Sequence, residues 1–401
     1  MFYGVVIPVL AYLGLFLYKQ YYYESILGQE RQFENCQITQ YDPVTGSTFT
    51  QKEDVKIVQV NYGIKLVEAD TFMGAMYGLG FVHAKDRLWQ LNFFRYLATG
   101  RLAELIGPEG VPIDKFIRTI GVTRSAKKYL ELLDEEEMNL LQNYCNGVNK
   151  AAQNVKLYPI EFYILMTGFE ELTTNDVASY LTLLTVFLSR DWCHEYLRSK
   201  LTEIYDREFV DRLIPFKKED YFDLGKMETI ADDDLHKIDL HIKDNAANLY
   251  TVDDSLYHVR EKTKSKLEVQ AELNDGSKPY RNVVSSWENF GSNCWAIHGN
   301  HTKSGKPMLS CDPHLVKYTS PTWYAARISW NETTIEETET GPVEKSYRTY
   351  IAGHSVLGLP IFSHMKTPFV AGGLTALNPD SMDLFLEEVK DEKYLSSEGT
   401  W

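Results

Sequence analysis

The sequence predicts an α+β protein, and three stretches predict it. Val55–Val60 and Ile64–Val67 are short runs rich in β-branched residues around Asn61-Tyr62-Gly63, the pattern of a hairpin. Over Thr71–Leu97, Ser125–Leu141 and Val177–Leu188 apolar residues recur at helical spacing. Trp295 and Ile297 then alternate with polar neighbours before a turn-rich segment and a second short run at Met308 and Leu309, which reads as two more paired strands. Strands and helices in separate blocks of the chain are the mark of an α+β architecture.

Composition narrows the function. The 401 residues suffice to bury a sizeable core in one large or two ordinary domains. A formal charge of -15, from 56 acids against 41 bases, argues against nucleic acid as a partner, since phosphate binding needs a basic footprint. The five cysteines, Cys36, Cys145, Cys193, Cys294 and Cys311, form no C-x-x-C pair and no zinc spacing, which argues against a metal-cysteine site. Cys294 and Cys311 fall near the ends of the two hairpin strands, where they either pair or pack as thiols. We read them as free core cysteines.

Residues 2–18 carry no charge, and tyrosines cluster from Tyr18 to Tyr23, so residues 1–24 are expected to form an uncleaved membrane anchor or a signal segment. The expected location is therefore the membrane or the secretory pathway and cell exterior. The sequons Asn300-His301-Thr302 and Asn331-Glu332-Thr333 are compatible with it. A long helix is expected over Thr71–Leu97, with Phe72, Ala75, Met76 and Leu79 and later Leu88, Leu91 and Phe94 on its apolar side. Asp70 is its expected N-cap, and a bend is expected near Gly78 and Gly80. Ser125–Leu141 reads as an acidic amphipathic helix, and Thr173-Thr174-Asn175-Asp176 caps an apolar helix over Val177–Leu188. Residues 216–291 are charge-dense with little periodicity and read as a linker between a helical region, 50–215, and the region 292–401.

Several motifs resemble one family. Gly291-Ser292-Asn293-x-Trp295, Gly305-Lys306-Pro307 and Asp312-Pro313-His314-Leu315 are similar to the start of the beta chain of the penicillin acylase family of N-terminal-nucleophile hydrolases. The stretch from Gly78 to Gln90 with Gly100-Arg101-Leu102-Ala103-Glu104-Leu105, and Tyr144-x-x-Gly147-Val148-Asn149, resemble its alpha chain. Gly353 to Pro360 and Val370 to Ala376 resemble a further block, with Met365 where a Gly is common, Thr367 for an Asn and Gly372 for a Trp. The resemblance implies a four-layer αββα sandwich of antiparallel sheets. It also implies alpha and beta chains cut from one precursor, and hydrolysis of a linear, non-peptide amide of an acylated small molecule. The chain ends at Trp401, before the positions where that family supplies a second oxyanion donor, so the resemblance implies incompleteness at the C-terminus. The competing expectation is a catalytically inactive, membrane-tethered binding or structural glycoprotein of the same fold.

The resemblance also assigns roles. Cleavage between Gly291 and Ser292 would leave Ser292 as a chain start whose α-amine, with a reference pKa of roughly 7.7 to 8.0, serves as base for its own hydroxyl. His314 would orient that amine, and the Ala376 backbone N–H would stabilise the oxyanion. Thr185, Ser189, Leu315, His364 and Leu374 would line the acyl pocket. Glu195, Asp380, Asp383 and the carbonyl of Met382 would offer hard oxygen ligands to a structural calcium ion. Asp86, Arg87 and Arg101 read as structural ion-pair residues and His83 as a satisfied interior histidine.

Overall fold

The computed structural model describes residues 31–42, 45–189, 191–202, 205–213, 291–315, 320–338, 341–376, 389–390 and 393–394, together with Gly14. They fall into two compact units, one of residues 1–184 and 289–375 and one of residues 185–288 and 376–401. Apart from Gly14, residues 1–24, expected to be an anchor or signal segment, lie outside the described residues, as does nearly all of the linker.

In the first unit a seven-stranded sheet has the order β1-β2-β3-β6-β7-β8-β9. Its strands are β1 (Arg31–Asp42), β2 (Ser47–Gln59), β3 (Lys65–Glu68), β6 (Trp323–Thr338), β7 (Gly341–Val356), β8 (Phe362–Lys366) and β9 (Ala371–Gly373). The strands β4 (Gly291–Ile297) and β5 (Met308–His314) form a separate antiparallel pair. Both expected hairpins are present, with β2 and β3 turning through a 3-10 segment at Asn61–Gly63. The sheet is not wholly antiparallel, because β3 and β6 run parallel. A long connection between them permits this, since parallel neighbours need a crossover rather than a tight turn. Strands and helices together make the protein α+β.

Helix α1 (Phe72–Ala98) begins one residue later than the Asp70 cap would place it. Thr71 is the cap, accepting the Gly74 N–H at 3.0 Å. The Asp70 N–H is already engaged, donating to Glu53 at 2.6 Å, and the same buried carboxylate accepts the Thr71 N–H at 2.9 Å and its hydroxyl at 2.7 Å. An anion over the first turn satisfies orphan donors and complements the helix dipole. Gly74 leaves the room it needs, since a Cβ there would meet Glu53.

Gly78 and Gly80 do not bend α1; the one residue with non-helical backbone is Arg87, at φ -143 and ψ 41. The glycines are contact points instead. A Cβ on Gly80 would collide with the Tyr144 carbonyl, and one on Gly147 with the Tyr77 carbonyl. The two helix backbones therefore touch directly where α1 crosses α5 (Glu135–Gln153).

The shorter helices of this segment are α2 (Ala103–Ile106), α3 (Val111–Thr119), α4 (Val122–Leu130) and α6 (Ile160–Ile164). The acidic helix expected over Ser125–Leu141 is two helices, α4 and α5. Asp134 breaks it by capping α5: its side chain accepts the Glu137 N–H at 2.8 Å while Glu137 accepts the Asp134 N–H at 3.0 Å. Helix α7 (Thr174–Ser189) starts on a similar exchange, with the Thr173 N–H donating to Asp176 at 2.9 Å and the Asp176 N–H to the Thr173 hydroxyl at 3.3 Å. In the second unit α8 (Asp191–Thr202), α9 (Arg207–Leu213) and the two-residue strands β10 (Val389–Lys390) and β11 (Lys393–Tyr394) are described.

His83 is an interior histidine, fully buried on α1. The Ser355 hydroxyl donates to the Tyr324 carbonyl at 3.0 Å, so it accepts from His83 Nε2–H at 2.8 Å. That leaves His83 Nδ1 to accept the Tyr144 hydroxyl at 2.8 Å. One neutral imidazole thus ties α1 to α5 and β7, and burial first, then the Arg87 charge, pushes its pKa down to about 3. Asp86 takes the Tyr324 hydroxyl at 2.6 Å and pairs with the buried Lys65 at 3.3 Å. Arg101 pairs with Glu104 at 2.7 Å and Glu170 at 3.2 Å. Arg87 differs from the expectation: it donates to the Pro321 carbonyl and lies 5.4 Å from the Tyr324 ring centre.

Candidate active site

The site is built on β4 and β5. Their register places Gly291 opposite His314, Ser292 opposite Pro313, Asn293 opposite Asp312 and Cys294 opposite Cys311. Because side chains alternate along a strand, this register sorts the pair into two faces. Ser292, Cys294, Cys311 and Pro313 share one; Gly291, Asn293, Asp312 and His314 share the other.

The Ser292 face is the cleft face. Leu309, Cys311 and Pro313 line a cleft of about 530 Å³ together with Trp323, residues 352–354 of β7, residues 364–366 of β8, and Ala371 and Gly372 of β9. A largely apolar concavity with a few polar groups is the usual form of a small-molecule site. His364 stands in its wall, with Nδ1 2.9 Å from the Ser363 hydroxyl and its ring edge-on to Trp323 at 5.3 Å. Its pKa is lowered, by burial first and then by the neighbouring His354.

On the opposite face the His314 Nε2 lies 3.1 Å from Asp312 Oδ2 and 3.5 Å from the Asn293 amide nitrogen. Its Nδ1 is turned toward Gly291, 3.4 Å from where a Cβ on that glycine would lie. The imidazole therefore rests against the backbone at the expected cleavage point. It approaches from the side away from the serine side chain.

Cys294 and Cys311 are not free core cysteines. They are joined as a disulfide, with Cα atoms 4.3 Å apart, because the register sets them directly opposite one another. Gly373 packs on this bridge; a Cβ there would meet the Cys311 sulfur. The free cysteines among the described residues are Cys36 and Cys145, both buried, with burial chiefly responsible for thiol pKa values raised to about 12 in Cys36 and also raised in Cys145.

The remaining expected residues are distributed as follows. Leu315 is half-buried just after β5. Leu374 is exposed just after β9, its N–H donating to the Ser363 carbonyl at 2.9 Å. In the second unit Ala376 and Thr185 are exposed, and Ser189 is buried with its hydroxyl on the Val186 carbonyl at 3.2 Å. Glu195 is half-buried on α8. Asp380, Met382 and Asp383 lie outside the described residues, and among the described residues there is no group of three ligating side chains placed to hold a metal.

Sequence reasoning passed over Asp312, Trp323 and His354 as site residues. Two-residue spacing of Asp312 and His314 on a strand was the available signal for the first. It did single out Met365 and Gly372, which prove to be cross-strand partners in the cleft wall. The Met365 methyl lies 3.6 Å from where a Gly372 Cβ would be. The larger residue on β8 thus occupies room left by the smaller one on β9.

The sequence model of the penicillin amidase family matches residues 54–401, and the chain belongs to that family. It is 26% identical over 355 residues to an acyl-homoserine lactone acylase of Pseudomonas aeruginosa, covering 87% of this chain and 36% of that protein. It is 25% identical over 339 residues to a penicillin acylase 2 proenzyme of Pseudomonas sp. strain SE83, covering 84% and 38%. The chain thus spans little more than a third of the length of either relative. A solved penicillin G acylase chain from Alcaligenes faecalis aligns with a TM-score of 0.37 and 24% identity, over 45% of this chain and 96% of that one.

Proposed function

We propose that the chain supplies the nucleophile of an amidohydrolase that cleaves the linear, non-peptide amide of an acylated small molecule, on the family's four-layer fold. Ser292 is exposed as a new N-terminus by cleavage after Gly291. Its α-amine takes the hydroxyl proton, the oxygen attacks the amide carbonyl, and water releases the acyl group from the ester. His314 orients the amine, and a backbone N–H donor to the oxyanion completes the chemistry. The observation that carries this reading is the register of β4 and β5, which puts Ser292 on the cleft face with Cys311 and Pro313 and leaves His314 against Gly291. The relatives named for penicillin and acyl-homoserine lactone support an acyl amide as substrate class. Within the cleft His364 is the acyl-pocket residue, with Leu315 and Leu374 of the same unit as its proposed companions.

Glu195, Asp380, Asp383 and the Met382 carbonyl are all oxygen donors, a set whose chemistry suits calcium. Residues 1–24 anchor the body on the lumenal or extracellular side in this reading. The paired Cys294 and Cys311 suit such a compartment. No described helix is long and apolar enough to cross a membrane.

The test is a denaturing gel of the full chain beside Ser292→Ala. Self-cleavage yields a fragment of residues 292–401 in the first and none in the second. An intact band in both refutes the proposal.

A further inference from the structure

Cleavage at Gly291 poses a problem that the finished enzyme does not. Until the bond breaks, the nitrogen of Ser292 is an amide, without the basicity the mature mechanism uses, and it must gain a proton as it leaves. The only histidine on β4 or β5 is His314, and it lies on the Gly291 face, away from the serine side chain. What fixes its ring is Asp312, two residues back on the same face, whose Oδ2 is 3.1 Å from Nε2. The Asn293 amide nitrogen at 3.5 Å is the longer and uncharged contact. An ionised acceptor forms the stronger bond, so Nε2 carries a hydrogen directed at Asp312 and Nδ1 faces Gly291.

We propose that Asp312 is a positioning residue for self-cleavage, holding His314 so that Nδ1–H donates to the backbone nitrogen of Ser292. The proposal rests on the Ser292 reading above. The Ser292 oxygen adds to the Gly291 carbonyl carbon and gives up its proton to solvent. The carbon–nitrogen bond then breaks, and the nitrogen takes the Nδ1 proton, which solvent restores to the ring. Water hydrolyses the resulting ester to the Gly291 carboxylate and frees the serine hydroxyl. The step uses the doubly protonated ring, whose Nε2–H Asp312 accepts, so that Nδ1–H stays turned toward the bond being cut.

The experiment is a double-mutant cycle on the full chain, following appearance of the 292–401 fragment with time. A positioned acid contributes roughly 10²–10⁴-fold, so His314→Ala slows cleavage within that range and Asp312→Asn slows it about 10-fold. In the His314→Ala background Asp312→Asn is expected to have no further effect, and added imidazole is expected to restore cleavage in His314→Ala. A purely structural Asp312 would slow both backgrounds alike, and that result overturns the proposal. Equal melting temperatures of Ser292→Ala with and without Asp312→Asn check that the fold is kept; a lower one with Asp312→Asn assigns the slowing to stability and also overturns it. If the unaltered chain never cleaves, the Ser292 reading falls and this inference with it; if it cleaves but the cycle is additive, only this inference falls.

Discussion

His83 makes the stability of the first unit depend on pH in a way that can be worked out. Its pKa falls from an ordinary 6.5 to about 3 on folding, because the ring is fully buried and, second, because the Arg87 charge lies near it. The folded state thus refuses a proton that the unfolded state accepts between those values. Stability contributed this way is complete above pH 6.5 and is lost as pH falls toward 3, at up to about 1.4 kcal/mol per pH unit. Between pH 7 and pH 5 the loss amounts to roughly 2 kcal/mol. Glu68, Glu104 and Glu170, whose pKa values are lowered mainly by hydrogen bonds from Lys56 and Arg101, act in the same direction but only near and below 4.5. His364 adds a smaller share, being half-exposed. Urea denaturation of Ser292→Ala at pH 7 and pH 5, with and without His83→Gln, isolates the effect. His83→Gln should remove most of the pH-dependent difference whatever it does to absolute stability. If the variant keeps the full 2 kcal/mol dependence, the buried neutral histidine is not its source.

Three further outcomes follow from the same geometry. Gly147→Ala puts a methyl group into the Tyr77 carbonyl at the crossing of α1 and α5, and should destabilise by about 1–3 kcal/mol in a urea titration. Gly372→Trp fills the cleft beside Met365; hydrolysis of the acyl amides proposed above should fall with a raised KM while the 292–401 fragment still forms. If calcium binds through Glu195, saturation at 100 times its Kd should stabilise the folded chain by about 2.7 kcal/mol. Glu195→Gln should sharply reduce that gain in melting temperature.

Much of the architecture was legible in the sequence because local signals and tertiary structure agree there. Asn61-Tyr62-Gly63 between β-branched runs gives the β2–β3 hairpin, and the run from Phe72 gives α1. Where expectation and structure part, a distant residue decides. Asp70 looks like a helix cap, but Glu53, from another strand, takes its N–H and moves the cap to Thr71. Gly78 and Gly80 look like a hinge, yet Gly80 meets the backbone of α5, a partner that lies more than sixty residues on. The long strands β6 and β7 and the parallel join of β3 to β6 left no local signal of comparable strength. At the site, Ser292 and His314 were found from their motifs, but their separation onto opposite faces follows from register. Cys294 and Cys311 pair for the same reason: hairpin spacing alone left open whether they oppose each other, and the register sets them face to face.

The proposed chemistry requires position 292 to become a chain start that carries the reactive hydroxyl. The most direct measurement is intact mass and peptide sequencing of the purified full chain after incubation with an amide substrate in which the acyl group is a slow-leaving ester former. The expected product is a polypeptide beginning at Ser292 with an unblocked amine and the acyl mass on its hydroxyl. Substrate turnover by a chain whose Gly291–Ser292 bond is intact, or an acyl adduct on another residue, would contradict it.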